Sequence, residues 1–134
     1  MAVFRDNEEL EGVEVGSYAD FGELRELVAE LLEGGVAGSR FPVLMLHSDS
    51  RGSWSPDEAT RLRAELHEIA AGFRTLPARD PKPGSWQQEV AKKLGIRPTN
   101  LHESVFDVDG EPLIDRLIEL AEVAMREGAG VLFQ

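Results

Sequence analysis

The chain has no cysteine, only three histidines and no long apolar run. Without thiols there is no disulfide framework, thiolate zinc site, iron–sulfur cluster or cysteine nucleophile. The longest unbroken aliphatic stretch runs from Val43 to Leu46, far short of the roughly 20 residues that cross a bilayer. Met1 to Leu10 carries charges where a secretory signal needs an apolar segment. The expectation is a soluble, cytoplasmic chain with no membrane partner. The histidines (His47, His67, His102) form no HxH or HExxH arrangement, so neither a metal nor a cofactor is expected.

What is present is acid. Of 134 residues, 25 are Asp or Glu and 14 are Lys or Arg, giving a net charge of −11 and a pI near 4.7. Such a field repels a phosphate backbone, which argues against a nucleic-acid partner, and it attracts a basic protein and speeds its approach. The acid is concentrated at the two ends: residues 1–33 carry ten acids and two bases, residues 34–102 seven and ten, and residues 103–134 eight and two. The size, with 42% hydrophobic residues, fits a single domain over 1–134.

Patterning gives the elements. Val13 to Tyr18 alternates as a short strand. Asp20 reads as an N-cap for a helix through Phe21, Leu24, Leu27, Val28, Leu31 and Leu32 that ends at Gly34-Gly35. Residues 39–47 fit a short helix with Ser39 as cap and Pro42 in its first turn, or a buried strand. A loop with a brief strand around Trp54 follows. Ser55-Pro56-Asp57-Glu58 is a capping box opening a long helix through Leu62, Leu66, Ile69, Phe73 and Leu76, stopped by Pro77. Ser85 with Gln88 opens a further helix closing at Gly95. Glu103 to Val108 alternates as a strand, Asp109 caps a helix running to Gly128, and Val131 to Phe133 forms a last strand. The class is α+β: a small sheet of three to four short strands with about four helices, ending in a right-handed parallel strand–helix–strand crossover.

Phe106-Asp107-Val108-Asp109-Gly110 looks like the opening motif of haloacid-dehalogenase-type phosphatases, in which one aspartate attacks phosphorus and the next handles the leaving-group proton. Only 24 residues follow Gly110, they hold no lysine, and Glu111 stands where that family has a hydroxyl residue. As a calcium loop the string fails at Val105 and Arg116, where acids are required. No Gly-x-Ser-x-Gly elbow or P-loop lysine occurs. A small hydrolase using Asp107 and Asp109, or His47, is the alternative to a protein with no catalytic residues.

The acids themselves form a pattern. Glu23, Glu26, Glu30 and Glu33 recur at three- and four-residue steps along the first helix, a spacing at which like charges repel. No lysine in that helix relieves them. A solvated face would explain the stripe; so would the docking of a basic partner. Asp107, Asp109 and Glu111 make a second acidic patch. Trp54 and Trp86 each stand beside a capping serine, as core lid or exposed anchor.

One resemblance covers most of the chain from Val13 onward. It rests on the distinctive run Gly38-Ser39-Arg40-Phe41-Pro42-Val43-Leu44-Met45, a Gly-containing loop, and a long helix carrying Glu65-Leu66 and Ile69. Leu76-Pro77, a proline-rich link and an Asp109-Gly110 turn complete the order. This arrangement resembles the immunity protein 70-like family of bacterial polymorphic-toxin immunity proteins. Where that family has a Pro-Pro-Trp-Gly run, this chain has Pro83-Gly84-Ser85-Trp86, which also allows a sister group. The resemblance implies a non-enzymatic inhibitor, encoded beside a toxin, that binds and neutralises the cognate toxin domain by occlusion. The expected partner is basic, and Glu23, Glu26, Glu30, Glu33, Asp107, Asp109, Glu111 and Trp54 are the expected contacts. A homodimeric interaction protein built on the apolar stripe of the long helix is a third reading.

Overall fold

The fold, described from a computed structural model for residues 1–5, 8–12, 18–47 and 53–132, is organised around one long helix. Helix α3 (Pro56–Arg74) begins where the capping box places it. The Ser55 hydroxyl accepts the Glu58 N–H at 3.1 Å, and the Glu58 carboxylate accepts the Ser55 N–H at 3.0 Å. Its stripe of Leu62, Leu66, Ile69 and Phe73 is buried. The helix ends at Arg74, where the Thr75 N–H turns back to the Gly72 and Phe73 carbonyls. Helix α6 (Leu113–Glu127) packs along α3, burying Leu113, Ile114, Leu117, Ile118, Leu120, Ala121 and Ala124, while Met125 is exposed. The shorter α2 (Pro42–Leu46) and α5 (Leu101–Ser104) also lean on α3. So does α1 (Tyr18–Leu32), and Gly72 gives it room: a Cβ there would lie 2.8 Å from a Leu32 methyl.

A four-stranded antiparallel sheet completes the core in the order β2 (Glu8–Gly12), β1 (Ala2–Arg5), β4 (Val131–Leu132), β3 (Ser53–Trp54). Strand β1 is interior, with Met1, Ala2 and Val3 buried, and α6 lies over β1, β2 and β4. The glutamates of β2 stand on one edge and discourage pairing with another chain.

The α+β class holds, with four helices of nine residues or more and two short ones among the described residues. Several local expectations do not. The strand expected over Val13 to Tyr18 lies outside the described residues except for Tyr18, which already belongs to α1. Asp20 therefore sits inside the first turn of α1 instead of capping it. Glu103 to Val108 is not a strand. Asn100 Oδ1 accepts the Glu103 N–H at 3.0 Å, which starts the single turn of α5, and only a Phe106–Pro112 bridge follows. The C-terminal crossover thus lacks its first strand, and β4 joins the sheet antiparallel to both neighbours. Nor does Asp109 cap α6, which begins after Pro112 without a side-chain cap. Asp107 organises that turn, with Gly110 at φ +81°.

Residues 39–47 resolve in favour of helix, though Ser39 does not cap it. Helix α4 (Trp86–Leu94) is capped by Ser85 and closed by Gly95 as expected. Gln88 reaches the Gly84 N–H, one residue short of a full capping box.

Candidate functional site

The distinctive Gly-Ser-Arg-Phe-Pro run is held by two carboxylates from elsewhere in the chain. Glu33, just past the end of α1, accepts the N–H groups of Arg40 (2.9 Å) and Phe41 (3.0 Å) through Oε2. Glu65 of α3 accepts those of Val43 (3.1 Å) and Leu44 (2.9 Å). Pro42 between them has no N–H. The donors at the positive start of α2 are thus taken by negative charge, which complements the helix dipole. Arg40 adds a bond to the Leu32 carbonyl at 3.1 Å and an ion pair to Glu68 at 3.7 Å. Trp54 Nε1–H donates to the Val43 carbonyl at 3.0 Å, and its ring stacks on His47 with centroids 4.2 Å apart.

Two of the expected contact residues are consumed by this scaffold. Glu33 is only 6% exposed and leaves the acidic stripe; Trp54 is fully buried and cannot be a surface anchor. The assembly also predicts a pH signature. Desolvation, reinforced by the nearby charge of Glu33, holds the Glu65 carboxyl above its ordinary value of 4.5 despite the two amide hydrogen bonds. The folded state therefore binds this proton more tightly than the unfolded chain. Stability contributed by Glu65 should fall as pH rises from 4.5 through the higher folded-state value. Glu58 has the opposite sign, because the Ser55 amide lowers its pKa and its contribution is lost on acidification. Urea unfolding of the protein and of Glu65→Gln across pH 4 to 7 (roughly the span over which carboxyl shifts act) should show the protein losing stability relative to the variant as pH rises.

The exposed stripe is Glu23, Glu26 and Glu30. It is partly relieved by a lysine that the helix sequence could not reveal. Lys82 Nζ lies 2.6 Å from Glu23 Oε1. That bond, with the charges of Glu23, Glu26 and Asp20, raises the lysine's pKa. All three lysines of the chain (Lys82, Lys92, Lys93) fall in this one segment.

In the second patch Asp107 is buried at 2% exposure, while Asp109 and Glu111 reach the surface. Asp107 Oδ1 accepts the N–H groups of Asp109 and Glu111, both at 3.0 Å, and Oδ2 lies 3.6 Å from the Arg116 guanidinium. Arg116 also pairs with Glu11 and Glu119. These contacts make Asp107 the organiser of a turn, an arrangement unlike an open nucleophile. His102 is buried with Nε2 3.1 Å from Asp115 Oδ2, and Ser104 donates to the Asn100 carbonyl, so His102, Glu103 and Ser104 form no triad. Ser48 and Asp49, beside His47, lie outside the described residues. Among the described residues no cluster of three or more acids or histidines is arranged to hold a metal, and no helix is long and apolar enough to cross a membrane.

Helix α4 links the two patches. It buries none of its side chains. At its start Trp86 Nε1–H and Gln87 Nε2–H donate to the two oxygens of Asp20 at 3.2 and 3.3 Å. At its end Leu94, and just past it Ile96, rest on Gly110, where an added Cβ would lie 2.8 and 2.9 Å from their methyls. Between α1 and this segment lies a cleft of about 450 Å³. Leu24, Leu27, Phe106 and Leu113 line it, and Asp20, Glu23, Asp80, Lys82 and Trp86 stand at its rim. Sequence reading named Glu23 here but missed Asp20 and Lys82. The gathering of every lysine into residues 82–93, after an acidic helix, was the available signal.

Among known families the chain falls in the immunity-protein class, with a family model matching residues 3–133. It belongs to that family, Immunity protein 70. Comparison with curated proteins and with solved structures gives no match. Membership of an immunity-protein family implies a cognate toxin as partner.

Proposed function

We propose that the protein binds its cognate bacterial toxin domain in the cytoplasm and neutralises it by occlusion, without chemistry of its own. The family match over residues 3–133 carries this reading. The charge distribution supports a basic toxin: Glu26 and Glu30 stand exposed on α1, and Asp109 and Glu111 stand exposed at the far end of α4. Clustered charge of one sign acts mainly on the encounter with a partner, raising the association rate in a salt-dependent way.

The test is a quadruple reversal, Glu26→Lys, Glu30→Lys, Asp109→Lys and Glu111→Lys, which spares Glu33 and Asp107 because those residues hold the fold. Association with the toxin encoded beside the gene should slow by about tenfold or more at low salt, with a flatter salt dependence. Circular dichroism should stay unchanged, and co-expression should protect cells less well than the unaltered protein. Unchanged association kinetics would remove both patches from the interface.

A further inference from the structure

We infer that the cleft between α1 and α4 receives a lysine or arginine side chain of the toxin, and that Lys82 is the internal cation which that side chain displaces. The inference rests on the toxin-binding reading above and names the place where the partner enters.

The cleft has the chemistry of a receptor for a long basic side chain. Leu24, Leu27, Phe106 and Leu113 offer an apolar floor for its methylenes, and the carboxylates of Glu23 and Asp80 stand at the mouth for its charge. The half-buried Trp86 indole, held by its bond to Asp20, lines the cleft and adds an aromatic surface for a guanidinium. Arg79 also lines the cleft, and one cation is already seated on an acid there: Lys82 on Glu23. This pair is open to water, with side chains 75% and 47% exposed, and ion pairs so exposed hold their partners weakly. A second cation brought in by a docked protein can therefore take Glu23 and release Lys82 to solvent.

A second cavity of about 450 Å³, lined by Gln88, Lys92, Ile96 and Pro98, adjoins the cleft and shares Asp80, Pro81 and Phe106 with it. The loop before α4 carries Pro77, Pro81 and Pro83, which restrict the backbone on both sides of Lys82.

The experiment measures affinity for the purified toxin domain encoded beside the gene. Removing the internal cation with Lys82→Ala should tighten binding by about fivefold, the scale of an exposed ion pair. Lys93→Ala makes the same change in net charge away from Glu23 and should stay within about twofold. Glu23→Gln should weaken binding and cancel the gain, so that Glu23→Gln/Lys82→Ala binds no tighter than Glu23→Gln alone. Toxin binding should also change tryptophan emission, and Trp86→Phe should abolish that change, since Trp54 is in the core. If Lys82→Ala and Lys93→Ala behave alike while the unaltered protein binds tightly, the inference falls and the inhibitor reading stands. If the unaltered protein neither binds the toxin nor protects cells, both fall.

Discussion

Glu33→Ala should lower the unfolding free energy by about 3 kcal/mol, although an acidic stripe would mark this residue as dispensable. Its Oε2 atom takes two backbone donors, Arg40 N–H and Phe41 N–H, the second of them buried. Hydrogen bonds to a charged acceptor contribute about 1.5–3 kcal/mol each, and removing one partner leaves the other unsatisfied. Alanine does relieve the desolvation of the carboxylate, which keeps the loss below the sum of the two bonds. Phe41 and Leu44 are core residues tied to this turn, so the loss should spread into the contact of α2 with α3. Glu33→Gln keeps one acceptor oxygen and should lose about half as much. Glu26→Ala and Glu30→Ala, two steps along the same stripe, should stay within about 0.5 kcal/mol. Urea unfolding of the four variants measures this ordering. A Glu33→Ala protein as stable as Glu26→Ala would mean that the carboxylate does not hold the turn.

The second large effect is at Trp54. Its side chain is completely buried on the two-residue edge strand β3, where it joins the sheet to the start of α3 and to α2 through the Val43 carbonyl. Truncating a buried tryptophan to alanine costs about 3–5 kcal/mol. Set against a typical total of about 5–15 kcal/mol, Trp54→Ala should leave the protein barely folded. Trp54→Phe retains most of the apolar volume but orphans the Val43 carbonyl, and should cost about 1–3 kcal/mol. Melting curves followed by far-ultraviolet circular dichroism separate these outcomes. Trp86→Ala, at the rim of the cleft, should fall well short of either. Equal losses at the two tryptophans would contradict the burial that distinguishes them.

The two tryptophans also show which information is local. Each follows or precedes a helix-capping serine, and nothing in their neighbourhoods separates a core lid from a rim residue. The beginning of α3 was legible because Ser55, Pro56 and Glu58 all act within one turn. The N-terminus of α2 has equally complete capping, but the acceptors come from Glu33 and from Glu65, 21 and 22 residues away, so Ser39 looked like the cap. At Asp107 to Gly110 the acidic string suggested a helix cap, whereas the hydrogen bonds of Asp107 close a turn before the helix begins. Strand β2, Glu-Glu-Leu-Glu-Gly, has no apolar alternation and exists by pairing with β1. Of the candidate site, the acidic face of α1 could be read from spacing. The lysine that answers it could not, because 59 residues separate Lys82 from Glu23.

The middle of the sheet is a pairing between opposite ends of the described chain, with Ala2 against Leu132 and Val3 against Val131. Contacts so distant in sequence form late, since the long intervening loop must be closed before they stabilise anything. A ribosome can have released α1, α3 and α4 while β1 still offers an unpaired edge, with Ala2 and Val3 lacking the neighbour that covers them in the finished sheet. Newly made chains therefore pass through a stage in which the helices are largely present but the sheet that supports them is unfinished. The speed with which β4 reaches β1 then sets how long that edge stays open.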